Sequence, residues 1–326
     1  MTAASTDNCR VRVVCIGETM VMFGPPPHEL IEYCSHFVAL LGGAEANVAI
    51  GLERLGMHAG WVGKLPQNAL GRKLVNETRS FGVDTSAVVW SETGRVGTFF
   101  VEWGAAPRPL VTIYDRAGSA ATTLAADELD WDYLLSAEWV VLTGITPALS
   151  DTCRATTLEI ACRARQAGVR VAFDMNYRSL LWSRDEARKA YRALLPHVDL
   201  LVATEPDVEI VLGKHLERRD ALRALADCCG AQVIAMTLGA EGALGYECGA
   251  FHQVPGYDVQ CVNRLGAGDA FLAGLIYGFS QWNLRRGLAY GIAMAALKMT
   301  VPQNIPLINR VDVERLVAGR NSNVIR

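Results

Sequence analysis

The sequence has few of the features that mark membrane, disordered or nucleic-acid-binding proteins. Charged residues make up 20% of the 326 positions and the formal net charge is -3, so neither nucleic acid nor an anionic membrane is an expected partner. The charge-free stretch at 270–284 is shorter than the roughly 18 apolar residues that a membrane span needs. Low-complexity runs, internal repeats and linkers are absent too. Because 51% of the residues are hydrophobic, we expect a soluble, globular protein with an ample core.

Signatures of disulfide frameworks, zinc sites and dinucleotide binding are also missing. The nine cysteines are odd in number and form no C-x-x-C pair, and the six histidines form no H-E-x-x-H. Reduced thiols in a cytoplasmic protein are therefore expected. The first turn between a strand and a helix carries no G-x-G-x-x-G, which argues against a dinucleotide-dependent oxidoreductase. Residues 1–10 are polar, lack the apolar core of a signal peptide and are predicted to form a frayed end.

Strand-like and helix-like segments alternate along most of the chain. The strand-like segments are at 11–16, 59–62, 138–142, 169–173, 199–202 and 232–236. The helix-like segments are at 42–55, 68–81, 150–166, 185–195, 205–212 and 220–228. This order predicts an α/β fold with a doubly wound, mostly parallel sheet flanked by helices. Ligands of such sheets bind beyond the C-terminal ends of the strands, and Arg178 follows a strand at such an end.

Residues 83–116 break this alternation. Strand-like runs follow one another there without helices, and they lie at 87–90, 98–103 and 110–114. With a short run near 36–40, they predict a small antiparallel β lid. The predicted division is a lid of residues 19–40 and 83–116, inserted in a main domain of residues 11–18, 41–82 and 117–326. Because the lid is apolar on both faces, pairing with a second copy would stabilise it, which predicts a homo-oligomer.

The most informative stretch lies near the C-terminus, where the sequence reads N-R-L-G-A-G-D-A-F at 263–271. Gly266 and Gly268 free the backbone to turn sharply before an apolar helix, so several N–H groups should point outward and attract an anion. A carboxylate at Asp269 would lie beside a bound phosphoryl group, where it could accept a proton from an attacking alcohol. The alternative interpretation is a glycine-rich turn that is capped by an aspartate.

A second group of candidate ligand-binding residues opens the helix-like segment at 42–55. Gly43, Asn47 and Gly51 share one helical face at four-residue spacing, directly after Gly42. An asparagine flanked by glycines suits a hydroxyl-bearing ligand that approaches closely. The same face equally suits close packing against another helix.

Two apolar helix-like segments, at 267–279 and 284–298, follow the glycine turn. Each carries small residues at every fourth position, which are Ala270, Gly274 and Gly278 in the first and Gly287, Gly291 and Ala295 in the second. Facing stripes of small residues let two helices approach closely, so we predict that these helices are direct neighbours and hold the turn rigidly.

Taken together, these motifs resemble those of the ribokinase-like (PfkB) carbohydrate kinase family over essentially the whole chain. The N-terminal signature is Gly42-Gly43-x3-Asn47-x-Ala49, and the C-terminal one is G-A-G-D-A-F at 266–271. Within the family, the sequence is most similar to the 2-keto-3-deoxygluconate kinases. That similarity lies in the segments 114–120, 143–149 and 174–182.

The resemblance implies transfer of the γ-phosphoryl group of ATP, with Mg²⁺, to the C6 hydroxyl of a keto-deoxy sugar acid. It implies that Asp269 is the base and that the amides of Gly266, Ala267 and Gly268 stabilise the transferring phosphoryl group. The implied sugar-binding residues further include Gly42, Gly43, Asn47, Phe99 and Tyr114. The implied nucleotide-binding residues further include Thr237, Gly239, Gly242 and Tyr290. The region around Gly242 also reads as a β-hairpin, and both interpretations can hold.

Two arginines, Arg116 and Arg178, suggest an acidic substrate. A carboxylate needs a planar pair of donors more than a neutral sugar does, and the lid and the sheet would each contribute one arginine. The alternative is that both form surface ion pairs, which contribute little to stability. Tyr114 would add a hydroxyl donor or a ring face, or it is a core aromatic at a strand end.

Four residues depart from the family pattern. Asn263 stands where an aspartate usually helps to hold a monovalent cation, so the lost negative charge argues against dependence on potassium. Asp207 replaces a glutamate that helps to place Mg²⁺ through water, and it keeps the charge on a shorter side chain. Phe99 replaces a tyrosine of the sugar pocket, and Tyr290 replaces an asparagine near the adenine. These departures leave open a kinase of another sugar, such as fructose or a deoxy-gluconate analogue, or a non-catalytic sugar or nucleotide sensor.

Overall fold

The computed structural model describes residues 11–26, 29–104 and 107–319, and the frayed end predicted at 1–10 lies outside the described residues. The strands are β1 Val13–Ile16, β2 Met20–Gly24, β3 Val38–Gly42, β4 Ala59–Val62, β5 Lys64–Pro66, β6 Val89–Ser91, β7 Thr98–Glu102, β8 Val111–Asp115, β9 Trp139–Thr143, β10 Arg170–Asp174, β11 Leu200–Thr204, β12 Val233–Thr237, β13 Ala243–Glu247 and β14 Ala250–Val254. The α-helices are α1 Ala44–Leu55, α2 Ala69–Ser80, α3 Trp131–Ser136, α4 Asp151–Gln166, α5 Arg184–Leu194, α6 Glu205–Leu212, α7 Arg218–Cys228, α8 Ala267–Gln281, α9 Leu284–Met299 and α10 Arg310–Val317.

The main sheet has eight strands in the order β14-β13-β12-β11-β10-β9-β1-β4. Neighbours from β12 to β4 are parallel, and the β13–β14 hairpin continues the sheet in antiparallel pairing. The central strands are buried at nearly every position, because helices cover both faces of the sheet. One apolar core packs under α1, α8 and α9, and the other packs under α4 to α7. The predicted α/β fold with a mostly parallel, doubly wound sheet is confirmed.

A separate sheet, which we call the lid sheet, contains four strands in the order β3-β2-β7-β8. The outer pairs β2–β3 and β7–β8 are antiparallel, and the central pair β2–β7 is parallel. The predicted second sheet is therefore present, and its two central strands, β2 and β7, run in the same direction. The exact boundaries between lid and main domain stay a prediction.

The strand-like run at 87–90 does not belong to the lid sheet, so that part of the lid prediction is wrong. β6 instead pairs with the short strand β5 in parallel, and Val89 N donates a hydrogen bond to Gly63 O at 3.0 Å. Val88 is buried in the core of the main sheet, which holds this run against the main domain. The apolar pattern at 87–90 correctly indicates a strand, but it does not specify which sheet receives it.

Helices α8 and α9 are direct neighbours, as the stripes of small residues predict. A Cβ atom on Gly274 would lie 2.5 Å from Tyr290 O, and one on Gly278 would lie 2.9 Å from the Gly287 Cα atom. Only glycine permits this backbone separation, so the two helices fix the start of α8 against the rest of the domain. No helix among residues 11–26, 29–104 and 107–319 is both long and apolar enough to cross a membrane.

Candidate active site

The C-terminal ends of the parallel strands, the starts of α1 and α8 and the inner face of the lid sheet line one cavity of about 310 Å³. Such an edge is where doubly wound sheets bind ligands. The predicted site residues that line this cavity are Gly42, Gly43, Asn47, Phe99, Tyr114, Arg116, Arg178, Asp207, Thr237, Gly266, Gly268 and Asp269. The folded chain therefore brings together residues that are more than 200 positions apart in the sequence.

The turn before α8 has the conformation that its glycines predict. Gly266 has φ 81° and ψ 2°, and a Cβ atom there would lie 1.9 Å from Asn304 O, so both the dihedral angle and the close contact require glycine. A Cβ atom on Gly268 would meet no atom within 4 Å, which leaves open space for an anion beside the backbone. The turn thus packs against Asn304 at Gly266 and is open to the cavity at Gly268.

The amide groups of this turn differ in their availability. The Ala267 amide donates to Arg264 O at 3.1 Å, so the structure does not support its predicted part in the anion hole. The amides of Gly266, Gly268 and Asp269 make no hydrogen bond within the described residues. Three unengaged N–H groups therefore remain at the positive end of the α8 dipole.

Asp269 lies in this cavity and is half-buried. Asn47 Nδ2 donates a hydrogen bond to Asp269 Oδ2 at 2.7 Å, whereas Asp269 Oδ1 accepts none within the described residues. Burial raises the pKa of Asp269 to about 6, against the lowering effects of the Asn47 hydrogen bond and of the charges on Arg178 and Lys298. The carboxyl group is thus mostly ionised at neutral pH and has one oxygen available to accept a proton.

The α1 face that contains Asn47 and Gly51 was predicted either to bind a ligand or to pack against another helix. Both interpretations apply, but to different residues. Asn47 serves the cavity through its contact with Asp269. A Cβ atom on Gly51, one turn later, would lie 2.8 Å from the Ala273 Cβ atom, so this glycine allows α1 to pack closely on α8. That packing brings Asn47 within hydrogen-bond distance of Asp269.

The two predicted arginines both reach the cavity, but their charges are not equally available. Arg116 is buried and forms an ion pair with Glu18, which also accepts a hydrogen bond from Ser119 Oγ at 2.8 Å. Arg178 is exposed, and its side chain makes no hydrogen bond or ion pair within the described residues. We conclude that the Glu18–Arg116 pair is nearly neutral, whereas the Arg178 charge forms no ion pair and acts at longer range on Asp174 and Asp269.

Tyr114 contributes a ring face to this wall of the cavity. Its ring stacks on that of Phe99, with 5.4 Å between the centroids, and the Arg116 guanidinium lies 5.5 Å from the Tyr114 centroid. Both rings belong to the inner face of the lid sheet, where Phe99 is opposite Tyr114 in the β7–β8 register.

Two further carboxyl groups line the cavity: Asp174 ends β10, and Asp207 lies in the first turn of α6, which follows β11. Burial, together with the charges of Asp207 and Asp269, raises the pKa of Asp174 to about 8, and the charge of Arg178 only partly opposes this rise. Asp207 Oδ2 accepts hydrogen bonds from Thr204 N and Oγ1, at 2.9 and 2.7 Å, and so caps α6. No cluster of three metal-ligating side chains occurs among the described residues. These acids fit a Mg²⁺ ion that is held largely by water and phosphate oxygens.

The predicted nucleotide turn joins β12 to β13. Gly239 and Gly242 have positive φ values of 59° and 104°, and β13 and β14 form the hairpin that the sequence also indicates. Thr237, at the end of β12, lines the main cavity. A Cβ atom on Gly256 would lie 2.2 Å from Ala240 O, so the turn packs closely against Gly256, which lines a second cavity of about 540 Å³ between β14 and α9.

Tyr290 lies apart from these residues. It is 5% exposed and packs between Tyr277 and Trp282, with ring centroids 5.5 and 5.2 Å away. It lines neither the main cavity nor the second one. The structure therefore does not support the predicted contact with adenine, because this ring fills an aromatic cluster on the buried face of α9.

Sequence reasoning missed Glu18, Glu45 and Asp174, which all line the cavity. Glu45 is 1% exposed and accepts hydrogen bonds from Thr143 Oγ1 at 2.7 Å and Thr146 Oγ1 at 3.0 Å. Burial raises its pKa to about 7. Glu18 and Asp174 could have been found, because each ends or follows a buried parallel strand at the edge where ligands bind.

Both the sequence and the fold match those of known proteins. Residues 11–308 match the profile of the pfkB family carbohydrate kinases. The chain is 40% identical over 315 residues to a 2-dehydro-3-deoxygalactonokinase of Haloferax volcanii, with 96% of this chain and 99% of the relative covered. It is 29% identical over 277 residues to a 5-dehydro-2-deoxygluconokinase of Geobacillus kaustophilus, with 83% and 82% covered. The crystal structure of 2-dehydro-3-deoxygluconokinase from Thermotoga maritima superposes with a TM-score of 0.90 at 33% identity, over 95% of this chain and 99% of that one.

Proposed function

The chain belongs to the pfkB family of carbohydrate kinases, and we propose that it transfers the γ-phosphoryl group of ATP to the C6 hydroxyl of 2-keto-3-deoxygluconate. One observation carries this proposal. The Asp269 carboxyl group lies beside three unengaged amides, in a cavity that also contains the unpaired Arg178. A base, an anion-binding turn and a partner for a carboxylate are the parts that phosphorylation of a sugar acid requires.

In the proposed reaction, Asp269 accepts the proton of the sugar hydroxyl as the hydroxyl oxygen attacks phosphorus. Asn47 fixes Oδ2 and leaves Oδ1 for the hydroxyl. The amides of Gly266, Gly268 and Asp269 would receive the negative charge of the transferring group, because they are already oriented when the reaction begins. Asp174 and Asp207 would hold Mg²⁺ through water, and that ion, when bound, neutralises phosphate charge.

The proposed sugar acid lies with its carboxylate at Arg178. Of the two arginines, Arg116 is paired with Glu18, whereas Arg178 has no ion pair among the described residues. The substrate carboxylate would compensate the charge of Arg178. A second candidate substrate is the C4 epimer, 2-keto-3-deoxygalactonate, because the relative with 40% identity is named for that sugar acid. The carboxylate and the C6 hydroxyl are the same in both, so Arg178 and Asp269 would serve both.

A panel assay tests the proposed function. We expect ADP release with ATP and Mg²⁺ to be at least about tenfold faster, as kcat/KM, for a 2-keto-3-deoxy sugar acid than for fructose, because fructose lacks the carboxylate and one charge-assisted hydrogen bond contributes about 1.5–3 kcal/mol. Because 5-keto-2-deoxygluconate also carries a carboxylate, its rate in the same panel tests the contacts to the rest of the sugar. The ratio between the gluconate and galactonate epimers decides between the two candidates. Preference for a neutral ketose would contradict the sugar-acid proposal, and mass spectrometry of the product locates the phosphate.

We also propose that the protein forms a homo-oligomer through the outer lid face, which comprises Phe23, Phe37, Phe100 and Ile113. The three phenylalanine rings lie within 5.3 to 6.4 Å of one another, and Ile113 is opposite Phe100 in the β7–β8 register. Ile113 is 53% exposed and lies on an edge strand of the sheet. A second copy of the lid would cover this apolar surface and pair the free edges.

For this interface we predict that Ile113→Lys shifts the protein from oligomer to monomer in sedimentation velocity, because the lysine would place a charge in the apolar contact. Val311→Lys is the matched control, since Val311 is 59% exposed on α10 and is not part of the lid sheet. A monomeric wild-type protein at micromolar concentration, or dissociation by both substitutions alike, would count against the outer lid face as the interface.

A cytoplasmic location is also proposed. It is supported by the eight cysteines of the described residues, which are all free thiols. Recovery of the protein from an extracytoplasmic fraction would contradict it.

A further inference from the structure

Lys298 is a fully buried lysine whose charge forms no ion pair in the part of the chain that the structure describes. It lies in the last turn of α9, where its side chain is 0% exposed. Its Nζ atom donates a hydrogen bond to Asn263 O at 2.9 Å, and it forms no ion pair within the described residues. Burial of an ammonium group is unfavourable unless it is paired, and a lysine that served only the helix dipole could lie at the surface.

The ammonium group lies next to the loop that forms the anion-binding turn. Asn263 begins this loop, and its side chain ties the loop to the segment after α9 and to itself, with Nδ2 donating to Pro302 O at 2.7 Å and Oδ1 accepting from Leu265 N at 2.9 Å. Gly266 follows directly and contacts Asn304 O. Lys298 is therefore joined through one main-chain carbonyl group to the segment that presents the free amides.

The charges around Lys298 also point toward the site. Burial lowers its pKa to about 8, and the Asp269 carboxylate acts in the opposite direction, as does Cys261 to a smaller extent. Lys298 in turn lowers the pKa of Asp269. Lys298 is thus mostly protonated at neutral pH. The charge that raises its pKa most is that of Asp269, the candidate base.

We propose that Lys298 is a built-in cation of the anion-binding turn. Its fixed positive charge would stabilise the negative charge that collects on the transferring phosphoryl group, so turnover would not need a monovalent metal ion. Asn263 is neutral, and its main-chain oxygen accepts a hydrogen bond from the ammonium group. This inference rests on the proposed kinase function. Lys298 does not touch the reacting atoms, and its charge acts on them across the turn. It is therefore a positioning residue and not a catalytic one.

Two substitutions separate the charge from the hydrogen bond. Lys298→Gln keeps a donor for Asn263 O without a charge, and Lys298→Met removes both. We expect both variants to lose about 100-fold in kcat, a loss like that of one oxyanion-hole donor, while KM for the sugar changes less than about threefold. If Lys298 only clamps the loop, Lys298→Gln should keep wild-type kcat. That result would overturn the proposal.

Two further measurements use the same full-length proteins. Wild-type kcat should be equal in potassium and in tetramethylammonium buffers, and a requirement for potassium would contradict a built-in cation. Binding of ADP with aluminium fluoride, measured by calorimetry, should weaken in both variants about as much as kcat falls, with ADP alone bound almost normally. Equal binding of the fluoride complex in wild type and variants would also overturn the proposal. Wild-type turnover in the sugar panel tests the kinase function by itself, so the two failures are distinguishable.

Discussion

Asp269→Asn is expected to abolish most turnover, with kcat lower by about 10³-fold, within the 10²- to 10⁴-fold range of a positioned general base. The asparagine side chain is isosteric and can still accept the hydrogen bond from Asn47 Nδ2, which the carboxylate accepts at 2.7 Å. It cannot take a proton at neutral pH. Because only the base is removed, KM for the sugar should change less than about threefold.

The same variant provides a pH test. The pKa of Asp269 is raised to about 6, so the wild-type base is ionised above pH 6 and protonated below it. Wild-type kcat/KM should therefore fall about tenfold for each pH unit below 6, and this dependence should disappear in the residual activity of Asp269→Asn. Asp220→Asn is the matched control, because it removes an exposed carboxylate from the first turn of α7, away from the cavity. Near-normal turnover of Asp269→Asn would contradict the assignment of the base.

Arg178→Ala is expected to raise KM for a 2-keto-3-deoxy sugar acid by about 10- to 100-fold, because a hydrogen bond to a charged group contributes about 1.5–3 kcal/mol. KM for a neutral ketose should change little. The Arg178 side chain forms no ion pair among the residues that the structure describes, so its removal breaks none. The loss therefore reports on the substrate contact and not on a broken ion pair.

The assay of this variant should be made near pH 8. The Arg178 charge lowers the pKa of Asp269, so its removal raises that pKa and would depress turnover at lower pH for a different reason. Arg184→Ala is the control, since Arg184 is exposed on the neighbouring helix α5 and does not line the cavity. Equal changes in KM for acidic and neutral sugars would show that Arg178 does not bind a carboxylate.

Local patterns account for the parts of the fold that the sequence predicts well. Period-2 and period-3.6 patterns, with glycines and caps at the ends of elements, place the alternating strands and helices. Stripes of small residues predict the α8–α9 contact, because close helix packing needs small side chains at regular spacing. The turn at Gly266 follows from a dihedral angle and a contact that only glycine permits. Elements such as β5, α3 and α10 were missed, since three to eight residues carry little periodicity.

The sequence by itself determined the α/β class and the glycine turn before α8, because these depend on neighbouring residues. Only the tertiary structure decided how the charges are shared. It pairs Arg116 with Glu18, 98 positions away, and leaves Arg178 unpaired; it also buries Lys298 against Asn263, 35 positions away. Compensation of a charge depends on distance and burial in three dimensions, and no local pattern encodes which distant side chain comes within a few ångströms.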